Sequence, residues 1–223
     1  MASNLKSHLS LLIKNPYLRL DLSLVFGVIM NFIYIGVNFI FFLSGAGAWP
    51  LSVSVYYLLL LSVRIFIFGY RELENSGTEN NALLYRVCLR AGFFMLFFDL
   101  VATALALWVV FSYGEEKITG FYLAVLFLYS AYSIFLAVRG LVRAARQANP
   151  LSFAARNLRL AEALISVFNL SYSLYPYLGI GGSESVRLNA FVCIFVFSVL
   201  LISALALVVK YKRALSGTLK KYR

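Results

Sequence analysis

Residues 188–213 read LNAFVCIFVFSVLLISALALVVKYKR, and the first 22 of them carry no charged side chain. A helix of about 20 apolar residues spans the hydrocarbon core of a membrane. Three basic residues, Lys210, Lys212 and Arg213, follow at once. Because Lys and Arg are retained on the cytoplasmic side, this segment predicts a transmembrane helix that ends in the cytoplasm.

Five earlier segments have the same character, and the composition of the whole chain agrees with them. Hydrophobic residues make up 62% and charged residues 13% of the chain, against about 45–50% and about 25% in soluble domains. The chain is therefore predicted to be all-α, a polytopic membrane bundle with six transmembrane helices in a domain 21–209. The six predicted spans are 22–44, 51–70, 91–111, 118–138, 160–178 and 188–209.

The two ends of the chain are predicted to lie outside the bilayer core. In the segment 1–20, Leu5, Leu9 and Leu12 recur at helical spacing. This pattern predicts an interfacial amphipathic helix on the cytoplasmic leaflet, ending at Pro16, with a frayed tail as the alternative. Residues 210–223 are predicted to form a basic cytoplasmic tail.

The distribution of positive charge predicts the threading of the chain. Seventeen of the 20 Lys and Arg residues lie in the two termini and in the second and fourth gaps between spans. This places both termini in the cytoplasm. The outer connections are short, so consecutive spans are expected to form three antiparallel hairpins. Trp49 and Trp108 are expected at the outer interface, where tryptophan is enriched.

The basic residues also predict what the cytoplasmic surface contacts. The formal net charge is +11, but the cations adjoin spans, so anionic lipid headgroups are expected rather than nucleic acid. A membrane protein partner or a homo-oligomer contact is the alternative. The residues assigned to this surface are Arg139, Arg143, Arg146, Arg156, Arg159, Lys210, Lys212 and Arg213.

Three charged residues fall inside predicted spans, and two of them, Arg64 and Asp99, lie far from the span ends. Counting about 1.5 Å per residue from the cytoplasmic ends, Arg64 and Asp99 lie at similar depths, about 9 and 13 Å. An isolated charge in the bilayer is costly, so the two are expected to form an ion pair. That pair would be a structural lock, or part of a path for a solute or proton. An Arg64 that reaches back to the inner headgroups is a further alternative.

Polar residues form two stripes along the helices. Glu162, Ser166 and Asn169 recur on one face of the fifth span, and Asn31 and Asn38 are seven residues apart in the first. Such stripes face other helices or a cavity. They act either as interhelical hydrogen bonds or as the lining of a polar path. Glu162 could also pair with Arg159, one turn earlier.

Several kinds of chemistry lack the residues that they require. The only histidine is His8, outside the spans, and the chain has no Cys-x-x-Cys motif. A glycine-rich phosphate loop and a clustered acidic metal motif are also absent from the sequence. We therefore expect no enzyme activity, no cofactor and no metal site.

Two segments carry a resemblance to known proteins. Val55-Tyr56-Tyr57 leads to Arg64 in the second span, and Asn149-Pro150-Leu151 leads through Ala163-Leu164-Ile165-Ser166 into the fifth. In these segments the chain resembles a group of small six-span membrane proteins from Gram-positive anaerobic bacteria. The resemblance implies the six-span threading and the placing of Arg64, but no activity. We expect a multi-pass protein of the bacterial cytoplasmic membrane.

The sequence leaves two functional hypotheses. The first is a small transport or solute-binding membrane subunit, in which Arg64, Asp99 and both polar stripes line an intramembrane site. The second is a membrane scaffold or partner-binding protein that acts through its basic cytoplasmic surface.

Overall fold

The computed structural model describes residues 16–45, 47–70, 81–112, 119–144 and 150–221. Side chains are described over the same ranges except 16–24, 81, 112, 141–144 and 218–221. These ranges contain helices and short connections but no strand, which confirms the all-α prediction. The helices are α1 (Pro16–Leu43), α2 (Trp49–Gly69), α3 (Asn81–Ser112), α4 (Gly120–Ala144), α5 (Pro150–Tyr177) and α6 (Gly182–Lys221).

Five of these helices are long and apolar enough to cross a membrane. Their apolar segments are Val25–Leu43, Trp49–Gly69, Ala82–Phe111, Gly120–Gly140 and Gly182–Gly217. Large apolar side chains cover their outward faces, as lipid contact requires. Phe32, Phe121 and Phe191 are examples. The chain is therefore a multi-pass helical membrane protein by length and composition.

The remaining helix, α5, is the interior element of the bundle. No residue between 151 and 176 is exposed, and α5 packs against α2, α3, α4 and α6. A helix that meets protein on most sides need not be as apolar as one that meets lipid. The polar stripe of α5 is consistent with this enclosure.

The packing of the helices differs from three simple hairpins at one place. α1 packs closely with α2, and α5 with α6, but α3 packs mainly on α6 and α4 on α5. Among the described residues, the consecutive helices α3 and α4 are not a closely packed pair. Small side chains explain the α3–α6 contact: Gly92 lies so close to α6 that an added Cβ would be 3.0 Å from Val208.

Several helices extend beyond the predicted spans. α5 begins at Pro150, a residue suited to the first helical turn, so Arg156 and Arg159 belong to a helix and not to a loop. α6 continues to Lys221, so the predicted basic tail begins as helix. The interfacial helix predicted within 1–15, and Arg146, lie outside the described residues.

The turn between α5 and α6 has a defined helix cap. Gly179 adopts a φ of 74°, a left-handed conformation that favours glycine. The backbone N–H of Gly179 donates to the carbonyl of Pro176, and that of Ile180 donates to Tyr175. These two bonds form a Schellman motif, which ends α5 and reverses the chain into α6.

Candidate functional site

A buried ion pair joins α2 to the interior helix α5. Arg64 Nη2 lies 2.5 Å from Glu162 Oε1, and Arg64 is only 2% exposed. Tyr57 lies two turns before Arg64 on the same face of α2, and its hydroxyl donates to the backbone carbonyl of Glu162 over 2.7 Å. This face of α2 therefore packs against α5.

The predicted pair of Arg64 with Asp99 is wrong. Depth along the helix axis brought the two residues together in the sequence argument, but depth does not give the direction in which a side chain points. Arg64 faces α5, whereas Asp99 lies on α3 and accepts a 2.7 Å hydrogen bond from the hydroxyl of Tyr56. Asp99 is fully buried and sits apart from the Arg64–Glu162 pair.

The Arg64–Glu162 pair is part of a first polar cluster, to which α1 and α4 also contribute residues. Asn31 Nδ2 donates to Glu162 Oε1 over 2.7 Å, so this oxygen accepts from both Asn31 and Arg64. The hydroxyl of Tyr129, on α4, donates to Asn31 Oδ1 over 3.2 Å. Four helices therefore contribute to the cluster around Glu162, α4 through Asn31.

A second cluster surrounds Asn169, two turns further along α5. Asn169 Nδ2 donates to the hydroxyl of Tyr34 over 2.7 Å and to Asn38 Oδ1 over 3.2 Å. Its Oδ1 accepts a 2.8 Å bond from Trp49 Nε1. Tyr122 donates to Asn38 Oδ1 from α4. The polar stripes of the first and fifth predicted spans therefore face each other.

Trp49, which the sequence predicts at the outer interface, faces the interior of the bundle. It is 4% exposed, and its indole N–H donates to Asn169. Asn169 offers a buried acceptor that the indole N–H requires. Its position at the start of α2 sets its depth, whereas Asn169 determines its orientation.

Stacked tyrosines fill the space between the two clusters. The rings of Tyr34 and Tyr129 stack with centroids 3.7 Å apart, and Tyr57 meets Tyr34 edge-on at 4.7 Å. The hydroxyls of Tyr57, Tyr122 and Tyr129 are also hydrogen-bonded within the clusters, which the sequence analysis did not predict. Tyr122 and Tyr129 are seven residues apart, so their common helical face was the signal that could have shown it.

Ser166, the middle residue of the α5 stripe, has a different role. Its hydroxyl lies 2.7 Å from that of Ser133, and Ser130 donates to its backbone carbonyl over 2.9 Å. These contacts join α5 to α4, where small side chains allow close approach. Ser166 therefore belongs to the helix contact beside the clusters.

A small cavity lies against the ion pair, between α1 and α4. Its lining includes Gly27, Arg64, Tyr132, Arg159 and Glu162. About 10 Å³ is open to water, which is the room of one molecule. Arg64 Nε and Nη1 have no hydrogen-bond partner within the described part of the chain. The cavity thus adjoins a buried cation whose donors are only partly used.

Gly27 makes room for this arrangement. A Cβ at residue 27 would lie 1.7 Å from Arg64 Nη1, closer than any side chain permits. Gly27 could not be recognised from the sequence, because one glycine in an apolar helix carries no signal of its own.

The basic surface is described in part. Arg139, Lys210, Lys212 and Arg213 are exposed, and Arg156 and Arg159 are half-buried. The side chain of Arg143 lies outside the described residues.

Two of these cations contact one ring. Lys210 Nζ lies 3.6 Å from the ring centroid of Phe153, and Arg156 Cζ lies 4.3 Å from it. Cations at such distances are attracted to the face of an aromatic ring.

Comparisons with known proteins supply no relative from which to transfer a role. No family model, no curated protein and no solved structure matches the chain. In the described ranges, no group of three His, Cys, Asp or Glu residues is placed to hold a metal ion. The arrangement around Arg64 must therefore be interpreted from its own contacts.

Proposed function

We propose that this protein is a small transport or solute-binding membrane subunit whose site is centred on Arg64 and Glu162. The observation that carries the proposal is a buried arginine with unused donors beside a cavity. Ionisable residues within a helical membrane bundle commonly mark a substrate or ion path. Sites of this kind lie between facing helices, as here between α1, α2, α4 and α5.

Stability alone gives a weak reason for such a pair. Removing two charges from water costs free energy that their attraction often fails to offset, and apolar replacements can be neutral or stabilising. A purely structural network is also expected to satisfy every buried donor. Arg64 Nε and Nη1 depart from that expectation within the described residues.

The path that we propose follows the interface of α1 and α5. It runs from Asn31 and Glu162, which contact each other, to Asn38 and Asn169, which also do. Ser166 supports its wall through α4. Asp99 lies outside this line. Of the residues assigned to the path from sequence, it has the least structural support.

We further propose that all six helices cross a bacterial cytoplasmic membrane, with both termini in the cytoplasm. α5 has 28 residues and is therefore about 42 Å long, enough to span a bilayer. An even number of crossings agrees with basic residues at both ends of the chain.

Retention of a small molecule by the purified protein tests this function. The protein in lipid nanodiscs is incubated with a bacterial metabolite extract and washed, and the bound solutes are identified by mass spectrometry. We expect at least one polar solute to be retained by the wild type and by Arg86→Lys, an exposed control. Arg64→Lys should lose it, because lysine keeps the charge but not the planar fork of donors.

Two results would contradict the proposal. One is that the wild type retains nothing above nanodiscs without protein. The other is that Arg64→Lys, shown to be folded by thermal unfolding, retains the same solute as Arg86→Lys.

The basic surface favours a second candidate, a scaffold that binds a membrane partner or anionic headgroups. Lys210 and Arg156 both contact Phe153 at the end of the bundle. Such a cluster would attract an anionic surface. A scaffold predicts that neutralising Arg143, Arg146 and Arg156 releases a co-purifying protein, while Arg64→Lys has no effect on it.

A further inference from the structure

We propose that the cavity beside Arg64 receives the carboxylate of a small organic monoanion. This inference names the class of solute for the function proposed above and therefore rests on that function. It is carried by three features of the described residues: the unused donors of Arg64, the charges that line the cavity, and the loose contact of α1 with α4.

The unused N–H donors of Arg64 favour a carboxylate ligand. An arginine offers five N–H groups in one plane, and carboxylates are the acceptors that fit this fork best. Glu162 and Arg64 meet through one oxygen and one nitrogen, Oε1 and Nη2. Nε and Nη1 find no acceptor in the described part of the protein. Both nitrogens are buried and Nη1 lies against Gly27, so a second carboxylate can bind the guanidinium without displacing Glu162 once the cavity widens.

The charges of the lining favour a single negative charge on the ligand. Arg64 and Arg159 are cationic and Glu162 is anionic, so the lining carries one net positive charge. A monoanion would neutralise it, which is favourable where the surroundings screen charge poorly. A dianion such as phosphate would leave an excess charge beside Glu162, and a cation would raise the net charge further.

The contact between α1 and α4 offers a way in. Among the described residues the backbones of these helices are not closely packed, and side chains such as Tyr34 and Tyr129 bridge them. Phe26 meets Tyr132 edge-on with ring centroids 6.0 Å apart, beside the cavity. Tyr132 is half-buried, so a rotation of these rings would widen a cavity that holds about one water.

Beyond the charges, the lining combines polar side chains, among them Asn31 and Ser133, with apolar ones. Met30 and Leu136 lie on opposite walls of the cavity, on α1 and α4. Apolar walls with a few placed polar groups are typical of sites for small organic molecules. The carboxylate would bind at Arg64 and the hydrocarbon part would contact these two side chains.

Formate is the probe for the test, because it is the smallest carboxylate. Its binding to the protein in nanodiscs is measured by saturation-transfer difference NMR, with neutral formamide as the control of similar size. We expect formate to bind and formamide not to bind. Arg64→Lys should weaken formate about tenfold or more, the loss of one charge-assisted hydrogen bond.

Two further variants are expected to change the affinity for formate in opposite directions. Arg159→Gln removes a positive charge from the lining and should weaken formate. Glu162→Gln removes the competing negative charge and should strengthen formate, whereas a ligand held through Glu162 would bind less. Arg156→Gln on the surface and Glu184→Gln at the exposed start of α6 are the matched controls and should change nothing.

The outcome separates this inference from the function on which it rests. Equal binding of formate and formamide, or weaker formate binding in Glu162→Gln, overturns the inference. If a metabolite is nevertheless retained through Arg64, the proposed function stands with a solute of another class. If neither formate nor any metabolite binds, both fail. If Arg64→Lys does not fold, the test is made with the other two variants. The inference then requires weaker formate binding in Arg159→Gln and stronger formate binding in Glu162→Gln.

Discussion

At the scale of single residues, the site depends on one buried ion pair, in which Arg64 Nη2 contacts Glu162 Oε1 while Arg64 Nε and Nη1 have no acceptor among the described residues. Arg64 is the one cation within a predicted span, and the structure places it at the centre of a polar site. Its partner is Glu162 and not Asp99. A count of helical rise gives depth, but only packing decides which of two carboxylates at comparable depth an arginine meets.

Gly27→Ala tests how tightly α1 holds the guanidinium. The added methyl group would occupy the position of Arg64 Nη1, so the side chain must shift against Glu162. We expect a loss of about 1–3 kcal/mol in unfolding free energy, as for other overpacked sites. Gly36→Ala, on the same helix, is the control, because a Cβ there meets nothing within 4 Å. Equal stability of the two variants would show that Arg64 is not held at Gly27.

Asp99 and Tyr56 give a second prediction at this scale. Asp99 Oδ2 has no hydrogen-bond partner in the described ranges, and Oδ1 has only Tyr56. Tyr56→Phe would leave the carboxylate without that donor and should cost about 1–3 kcal/mol. Asp99→Asn keeps an acceptor for Tyr56 and should cost less. Thermal unfolding of the two variants in nanodiscs compares them, and the reverse order would point to a further partner of Asp99.

At the scale of elements, α5 organises the site because its stripe meets several helices. Glu162 binds residues of α1 and α2 in the first cluster, and Asn169 binds residues of the same two helices in the second. Ser166 contacts α4. The period of the stripe was readable from the sequence, since residues seven apart share a helical face. The facing of α1 towards α5 was not, because a period fixes which residues lie together but not what they face.

The Asn169 cluster has an optical reporter in Trp49. The chain has two tryptophans, so Trp108→Phe leaves Trp49 as the sole source of tryptophan emission. In that background Asn169→Leu removes the acceptor of the indole N–H, and we expect a changed emission spectrum and a loss of about 1–3 kcal/mol in stability.

The control for this prediction lies on the same helix. Asn157 is also buried in α5, but it donates to the backbone carbonyl of Ser203 on α6. Asn157→Leu should leave the emission of Trp49 unchanged. If Asn169→Leu also left the emission spectrum of Trp49 unchanged, Trp49 would lie outside the cluster.

At the scale of the whole molecule, the helical membrane architecture was predictable, while the packing was less so. Apolar runs of sufficient length dictate helices in a bilayer, because every backbone group must be satisfied within the segment. The order in which helices pack depends on side chains such as Gly92, which lets α3 approach α6. The basic tail was predicted from charge alone, and charge does not reveal that α6 continues through it.

The distinction between a binding site and a structural lock also belongs to the whole molecule. Both hypotheses accept a buried pair of Arg64 and Glu162. They differ in whether the bundle depends on it. A binding site retains charges at a cost to stability, whereas a lock is retained because the fold requires it.

The double variant Arg64→Met, Glu162→Leu, studied in nanodiscs, tests the central claim most directly. Unfolding free energy is measured beside retention of metabolites and binding of formate. We predict a folded bundle whose stability lies within about 2 kcal/mol of the wild type, and no bound solute. A variant that fails to fold would show that the pair is a structural lock, and a folded variant that still binds its solute would place the site elsewhere.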